Sequence, residues 1–174
     1  KAAIASSLNN IGLIYRDMND FDKSIDFYTN ALNLYKEIKN SAGESNVLNN
    51  LGDVYSKFGN TPNALKLYDE ALHIRKKLNN KRGLAITHIN IGQLFLKEKN
   101  YAKATFNFEQ ALKLAIETNE GELIKTASFE NFNPKSGSIK SLVKTSSIPV
   151  LKNFNPKSGS IKFIFCCLNK SLII

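Results

Sequence analysis

A repeat with a period of 40 residues constrains the fold of this chain more than any other sequence feature. At this shift, Leu8-Asn9-Asn10-Ile11-Gly12 aligns with Leu48-Asn49-Asn50-Leu51-Gly52 and then with His88-Ile89-Asn90-Ile91-Gly92. The same shift aligns three sets of residues, namely Tyr15, Tyr55 and Phe95, then Tyr28, Tyr68 and Phe108, and then Ala31, Ala71 and Ala111. Similarity at a fixed period of this length is typical of solenoids, in which each unit packs on its neighbours.

The spacing of apolar residues predicts that each unit is a pair of helices. Apolar side chains of the first unit recur every three or four positions, at Leu8, Ile11, Tyr15 and Met18 and again at Ile25, Tyr28, Leu32 and Tyr35. This spacing places each set along one face of a helix. Residues 1–121 contain no period-two alternation long enough to indicate a strand. We therefore predict an all-α solenoid with repeats at about 3–40, 41–80 and 81–120.

Polar breaks separate the predicted helices. They lie at Asn19-Asp20, Gly59-Asn60 and Lys99-Asn100 within the units, and at 40–43 and 79–83 between them. Asn and Gly suit the left-handed residue that ends a helix. Thr61-Pro62 predicts a helix N-cap followed by a proline in the first turn.

Three glycines, Gly12, Gly52 and Gly92, recur in the middle of predicted helices. Each costs about 1 kcal/mol of helix stability relative to Ala. We therefore expect a neighbouring helix backbone to approach each glycine closely, with the small residues Ala31, Ala71 and Ala111 facing them. The recurring aromatic residues are expected to fill the gaps between helices rather than to bind a cofactor.

These motif residues resemble the tetratricopeptide repeat. The second unit reads Leu48-x-x-Leu51-Gly52-x-x-Tyr55 and then Ala64-x-x-x-Tyr68-x-x-Ala71, the third unit matches it, and the first has Ser24 in place of the first Ala. The first motif position lacks Trp, no Pro ends the second helix, and the period exceeds the usual ~34 residues. In these respects the chain is similar to a longer-helix branch, with Asn before the Leu-Gly pair, found in bacterial signalling proteins and in motor light-chain and cell-polarity adaptors.

The resemblance implies a right-handed α-solenoid that binds an extended or helical segment of a partner protein on a concave face lined by the first helices. In the Asn-bearing branch the recurring Asn contacts the peptide backbone, and here it corresponds to Asn10, Asn50 and Asn90. A carboxamide both donates and accepts, so it can pair with any main chain. The alternative is that these residues cap or bridge neighbouring helices. Further candidates on the same side are Ser6, Asn9, Leu13, Asn46, Asn49, Asp53, Ile86, Ile89 and Gln93.

The charge of these candidates restricts the expected ligand. Chaperone-binding members of the family clamp a C-terminal carboxylate with Lys and Arg on these turns. The matching turns here carry Asn residues, so we expect no carboxylate clamp. A strongly acidic ligand is also disfavoured, because Asp53 would lie in its path.

Other binding and catalytic signals are weak. The basic cluster consists of Arg75-Lys76-Lys77 and Lys81-Arg82. We interpret it as a solvated helix end whose positive charges interact favourably with the helix dipole. The alternative is that it contacts nucleic-acid phosphates. His73 and His88 have no partner at metal-ligand spacing. The chain contains no phosphate loop, nucleophile elbow or paired-carboxylate motif. We therefore expect no enzyme activity, cofactor, metal or small-molecule substrate.

The C-terminal residues form a second region. Residues 122–174 carry 8 Lys and 2 Glu, and so supply most of the net charge of +9. We predict a capping helix at 122–130 and little stable structure at 131–174, apart from a strand-like stretch at 161–167 that includes both cysteines of the chain. The segment 131–140 recurs letter for letter at 153–162. Our hypothesis is a translated non-coding repeat reached by a frameshift or truncation, and the alternative is a genuine linker with two binding motifs.

The sequence also leads to expectations about the cellular location of the chain and about the protein to which it belongs. No apolar run approaches the ~18 residues that span a bilayer. The chain opens at Lys1 without a secretory signal, so a missing N-terminus and a cytoplasmic location are favoured. The alternative function is that of a fragment of a larger bacterial sensor kinase or regulator. An exposed apolar last face would permit end-to-end self-association.

Overall fold

The computed structural model describes residues 1–130, which form seven helices. They are α1 (Ala2–Asp17), α2 (Phe21–Glu37), α3 (Ser41–Lys57), α4 (Thr61–Lys77), α5 (Lys81–Lys97), α6 (Tyr101–Glu117) and α7 (Gly121–Glu130). Each helix packs on the next, and no strand occurs in this range. The predicted all-α solenoid is thereby confirmed for these residues. The duplicated segment, the strand-like stretch and both cysteines lie outside the described residues.

A single type of three-residue connector joins the helices. Its second residue adopts a left-handed conformation with φ between 51° and 84°, at Asn19, Lys39, Gly59, Asn79, Lys99 and Asn119. Its third residue, at Asp20, Asn40, Asn60, Asn80 and Asn100, caps the next helix by accepting a backbone N–H at 2.8–3.3 Å. The equal connectors and 17-residue helices keep all the helix pairs in the same register.

Two details of the predicted breaks are wrong. Asn60 is the N-cap of α4, whereas Thr61 is its first helical residue and Pro62 lies in the first turn. Gly43 and Gly83 do not end helices but lie in the first turns of α3 and α5. The reason is that an Asn carboxamide already caps each of these helices, so the chain is helical before it reaches the glycine.

Each repeat is held together by a glycine on its first helix and an aromatic ring on its second. A Cβ added at Gly52 would lie 2.6 Å from the ring of Tyr68, and the corresponding distance from Gly92 to Phe108 is 2.5 Å. The rings are fully buried. The expected contact of these glycines with a helix backbone opposite Ala residues is therefore wrong, because the flat face of an aromatic side chain takes the space that a Cβ would need.

Ser24 has a clear structural role at the position where the other repeats carry Ala. Its buried hydroxyl donates a hydrogen bond to the backbone carbonyl of Gly12 at 2.8 Å. The bond joins α1 to α2 next to the glycine–aromatic contact. A buried hydroxyl with a partner is tolerated in a core, which explains this departure from the repeat pattern.

Helix α7 continues the packing pattern past the third repeat. It packs against α6 and also against α5, as α3 packs against α2 and α1. Ile124 and Ala127 are buried in the same apolar cluster as Phe108 and Ala111. The second helix of the third repeat is therefore covered by a following helix.

The substitution Gly52→Ala tests the glycine–aromatic contact. Because the new Cβ would lie 2.6 Å from a buried ring of Tyr68, we expect a net loss of about 1–3 kcal/mol despite the better helix propensity of Ala. Gly59→Asn is the matched control, because Gly59 has φ 84°, no atom lies within 4 Å of its added Cβ, and Asn occupies this place in other connectors. Its expected effect is within about 0.5 kcal/mol. Urea unfolding measures both, and equal stability of Gly52→Ala and the wild type would contradict the assignment.

Candidate functional site

The candidate binding surface lies where the first helices of successive repeats adjoin, α1 with α3 and α3 with α5. We call the recurring Asn10, Asn50 and Asn90 the asparagine ladder. Nδ2 of Asn50 donates to Oδ1 of Asn9 at 3.0 Å, and Nδ2 of Asn90 donates to Oδ1 of Asn49 at 3.3 Å. Both bonds bridge neighbouring first helices. In each bridge the ladder residue donates through Nδ2, and the Oδ1 atom of that same residue takes no part in the bridge.

The other candidate side chains lie at different depths. Ser6, Asn10 and Asn46 are exposed, whereas Asn9, Leu13, Asn50, Asp53, Ile86, Asn90 and Gln93 are half-buried. Ile89 belongs to the core of the third repeat. Asn49 is only 5% exposed, so it lies beneath the surface that the others form.

A buried arginine that sequence analysis missed lies below this surface. Arg75, in the last turn of α4, is 3% exposed. Its Nη1 donates to the carbonyl of Gly83 at 2.8 Å, to Oδ1 of Asn49 at 3.2 Å and to Oγ1 of Thr87. Its Nη2 donates to Oδ1 of Asn46 at 2.9 Å. The interpretation of Arg75 as part of a solvated helix end is therefore wrong, because the side chain enters the space between α3 and α5.

The position of Arg75 in the repeat explains how it reaches that space. Each second helix places one residue of its last turn against the first turns of the following helix, and we call these three contacts the junctions. The first junction consists of Tyr35, Gly43 and Val47, the second of Arg75, Gly83 and Thr87, and the third of Ala115, Leu123 and Ala127. A Cβ added at Gly83 would lie 2.9 Å from Cδ and Nε of Arg75. The sequence contains one signal for this contact. A large residue stands eight positions before a glycine, as Tyr35 does before Gly43 and Arg75 does before Gly83.

The electrostatics of the second junction are unusual. All four acceptors of the Arg75 guanidinium are neutral, and none of the ion pairs within residues 1–130 includes Arg75. Burial lowers the pKa of Arg75 to about 10, so the side chain is a cation at neutral pH. Its Nε is buried without a hydrogen-bond partner. A positive charge that only neutral dipoles stabilise therefore lies directly beneath the candidate surface.

The remaining charges nearby are paired. Oδ2 of Asp53 lies 3.1 Å from Nη1 of Arg16 and 3.9 Å from Nζ of Lys57. Asp53 thus joins α1 to α3 and does not act as a free carboxylate. In the basic cluster, Lys81 pairs with Glu117 at 3.3 Å and Arg82 pairs with Glu120 at 3.1 Å. Pairing with Arg16 and Lys57 therefore weakens the expectation that Asp53 repels an acidic ligand, and pairing with glutamates leaves Lys81 and Arg82 less available to nucleic-acid phosphates.

The described part of the chain offers no site for a metal ion. It contains no group of three or more His, Cys, Asp or Glu side chains that could hold one. Nδ1 of His88 lies 3.0 Å from Oδ1 of Asn107, and Nδ2 of Asn107 donates to the carbonyl of Lys103. Among these residues, none of the helices has the length and apolar character needed to cross a membrane.

Comparison with known proteins agrees with this architecture. The family model described as tetratricopeptide repeat matches residues 3–77 and again residues 46–117. The crystal structure of BtubC (BKLC) from P. vanneervenii aligns with a TM-score of 0.59 and 20% identity over 73% of this chain. The chain covers 58% of that protein's length, and at this identity the likeness shows the fold alone. No curated protein matches the chain.

The substitution Thr87→Val tests the polar character of the second junction. It removes an acceptor of the buried Arg75 and the donor to the carbonyl of Gly83, so we expect a loss of about 1–3 kcal/mol. Thr126→Val is the matched control, because Thr126 makes the same bond to the carbonyl four residues earlier but is exposed. Its expected loss is below about 0.5 kcal/mol. Equal shifts of the urea midpoint for the two variants would contradict the role of Thr87 as a partner of Arg75.

Proposed function

Because the chain belongs to the tetratricopeptide repeat family, whose repeats generally mediate protein–protein interactions, we propose that it is a scaffold that binds a segment of a partner protein. The proposed binding surface is formed by α1, α3 and α5. The segment is extended or helical, and it lies along the three first helices rather than in a closed pocket.

The asparagine ladder is the observation that carries this proposal. It supplies one carboxamide per repeat, and in Asn50 and Asn90 the bridge uses Nδ2 while Oδ1 takes no part in it. Equivalent acceptors on α3 and α5, with Asn10 at the same repeat position on α1, suit the repeating N–H groups of a peptide backbone. In this proposal the bridges hold Asn50 and Asn90 in place, and the buried Asn49 supports Asn90 from below.

The charges around the ladder favour a partner recognised through its main chain and its apolar side chains. Asp53 is paired with Arg16, and the half-buried Leu13 and Ile86 lie on the same side. Nucleic acid fits this surface poorly, because Arg75 is buried and both Lys81 and Arg82 are paired with glutamates. A signalling role in a larger bacterial protein stays a prediction from the resemblance, and sequencing across both ends of the coding region tests it.

Substituting two residues of the asparagine ladder tests the proposal. We expect Asn50→Ala together with Asn90→Ala to weaken binding of a peptide selected on the wild type from a random display library by about tenfold or more, since each lost hydrogen bond is worth about 1 kcal/mol. Helicity by circular dichroism should not change. The control is Asn30→Ala with Asn33→Ala, two exposed positions on α2. Binding that survives in the ladder variant would refute the assignment.

Self-association between two copies of the chain stays a prediction. The sequence suggested an exposed apolar face at the end of the last repeat, but in the structure Ile124 and Ala127 of α7 are buried against that repeat. Sedimentation at rising concentration tests the prediction, and a protein that stays monomeric up to high concentration would contradict it.

A further inference from the structure

We infer that Arg75 is a positioning residue for the proposed binding surface, because it determines which end of the neighbouring Asn carboxamides a bound segment meets. The inference rests on the proposed function and goes beyond it by naming the hydrogen-bonding groups that the partner must supply. The hydrogen bonds between Arg75, Asn46, Asn49 and Asn90 have a defined direction.

The first step is the orientation of the two Asn residues that contact Arg75. A guanidinium has five N–H donors and no acceptor. Asn49 and Asn46 must therefore turn Oδ1 towards Arg75, and these oxygens lie 3.2 Å from Nη1 and 2.9 Å from Nη2. Rotating either carboxamide by half a turn would place an amino group against a buried cation. Arg75 thus selects one of the two orientations that an Asn side chain can adopt.

The second step is that the orientation of Asn49 determines the orientation of the ladder residue Asn90. Oδ1 of Asn49 faces both Arg75 and Asn90, so Asn90 must present its amino group, and Nδ2 of Asn90 lies 3.3 Å away. The opposite orientation of Asn90 would bring two acceptor oxygens together. Oδ1 of Asn90 therefore remains on the side away from Asn49.

The third step gives the chemistry of the partner. Around the second junction the surface offers an acceptor, Oδ1 of Asn90, and a donor, Nδ2 of the exposed Asn46. An extended peptide offers a main-chain N–H for the first group and a carbonyl for the second. The partner must therefore have a free backbone N–H opposite Asn90. Proline or an N-methylated residue cannot supply it.

The first junction shows that packing alone does not require an arginine at this position. Tyr35 occupies the same place there, against Gly43, and Val47 stands where the second junction has Thr87. Among the described residues no guanidinium contacts the Asn9–Asn50 pair, so the bond from Nδ2 of Asn50 to Oδ1 of Asn9 forms without a cation beside it. A cation that is 3% exposed and has only neutral partners is costly to bury. Its presence at one junction is accounted for by the orientation it imposes on Asn46, Asn49 and Asn90.

The test copies the first junction into the second by the double substitution Arg75→Tyr and Thr87→Val. The chain already packs Tyr, Gly and Val at the equivalent positions, so we expect wild-type helicity. The probe is a peptide selected on the wild type from a random display library, together with a series of copies that are N-methylated at one backbone position each. For the wild type we expect one position at which N-methylation lowers affinity by about tenfold or more. For the variant we expect this position-specific loss to disappear.

Two outcomes separate this inference from the proposed function. If Asn50→Ala with Asn90→Ala weakens binding by about tenfold or more but the Arg75→Tyr/Thr87→Val variant keeps the wild-type N-methylation profile, the inference is overturned and the proposed function stands. If neither variant alters binding, both fail.

A measurement on the unliganded wild type keeps the inference testable if the variant does not fold. Side-chain amide exchange by NMR should show an Asn90 amino proton protected from water and the Asn46 amino protons exchanging freely. Protected Asn46 protons with freely exchanging Asn90 protons would overturn the inference.

Discussion

The contact between a mid-helix glycine and a buried aromatic ring sets the geometry on which the rest of the structure depends. Without a Cβ at Gly52, the ring of Tyr68 can lie directly on the first helix, which fixes the distance between the two helices of the repeat. The same contact recurs with Phe108 in the third repeat, so the helix pairs are alike. Because equal connectors place these pairs in one register, the ladder residues of adjoining first helices come within hydrogen-bond distance of Asn9 and Asn49.

The junctions between repeats keep the same geometry but differ in chemistry. The first has an aromatic residue and Val47, the second joins a cation to Thr87, and the third has Ala115 and Ala127 in one apolar cluster against which Leu123 packs. The chemistry of the three positions therefore changes from one junction to the next while the order of the helices stays the same. In the polar junction Arg75 contacts Asn49, which also accepts from the ladder residue Asn90, so packing between repeats is coupled there to the proposed binding surface.

Most of the fold could be predicted from the sequence because its determinants recur. The 40-residue period and the helical spacing within it indicated the helix pairs and the solenoid, and the matched family agrees. The partner of the glycines was predicted wrongly, because periodicity shows that Gly52 recurs but not which atoms approach it. Arg75 was misread for a related reason. It occurs once, next to Lys76 and Lys77, and a cation at a helix end has the same sequence signature whether it is solvated or buried.

The candidate site, like the fold, could be predicted only where its residues recur. Recurrence identified Asn10, Asn50 and Asn90, but the bridges that orient two of them depend on the register between helices about 40 residues apart, which no local pattern reveals.

The most direct test of the central claim is an NMR titration of the side-chain amides with a library-selected peptide. The account predicts that resonances of Asn10, Asn46, Asn50 and Asn90 shift while those of Asn30, Asn33 and Asn63 do not. Shifts confined to the second group, on α2 and α4, would contradict it.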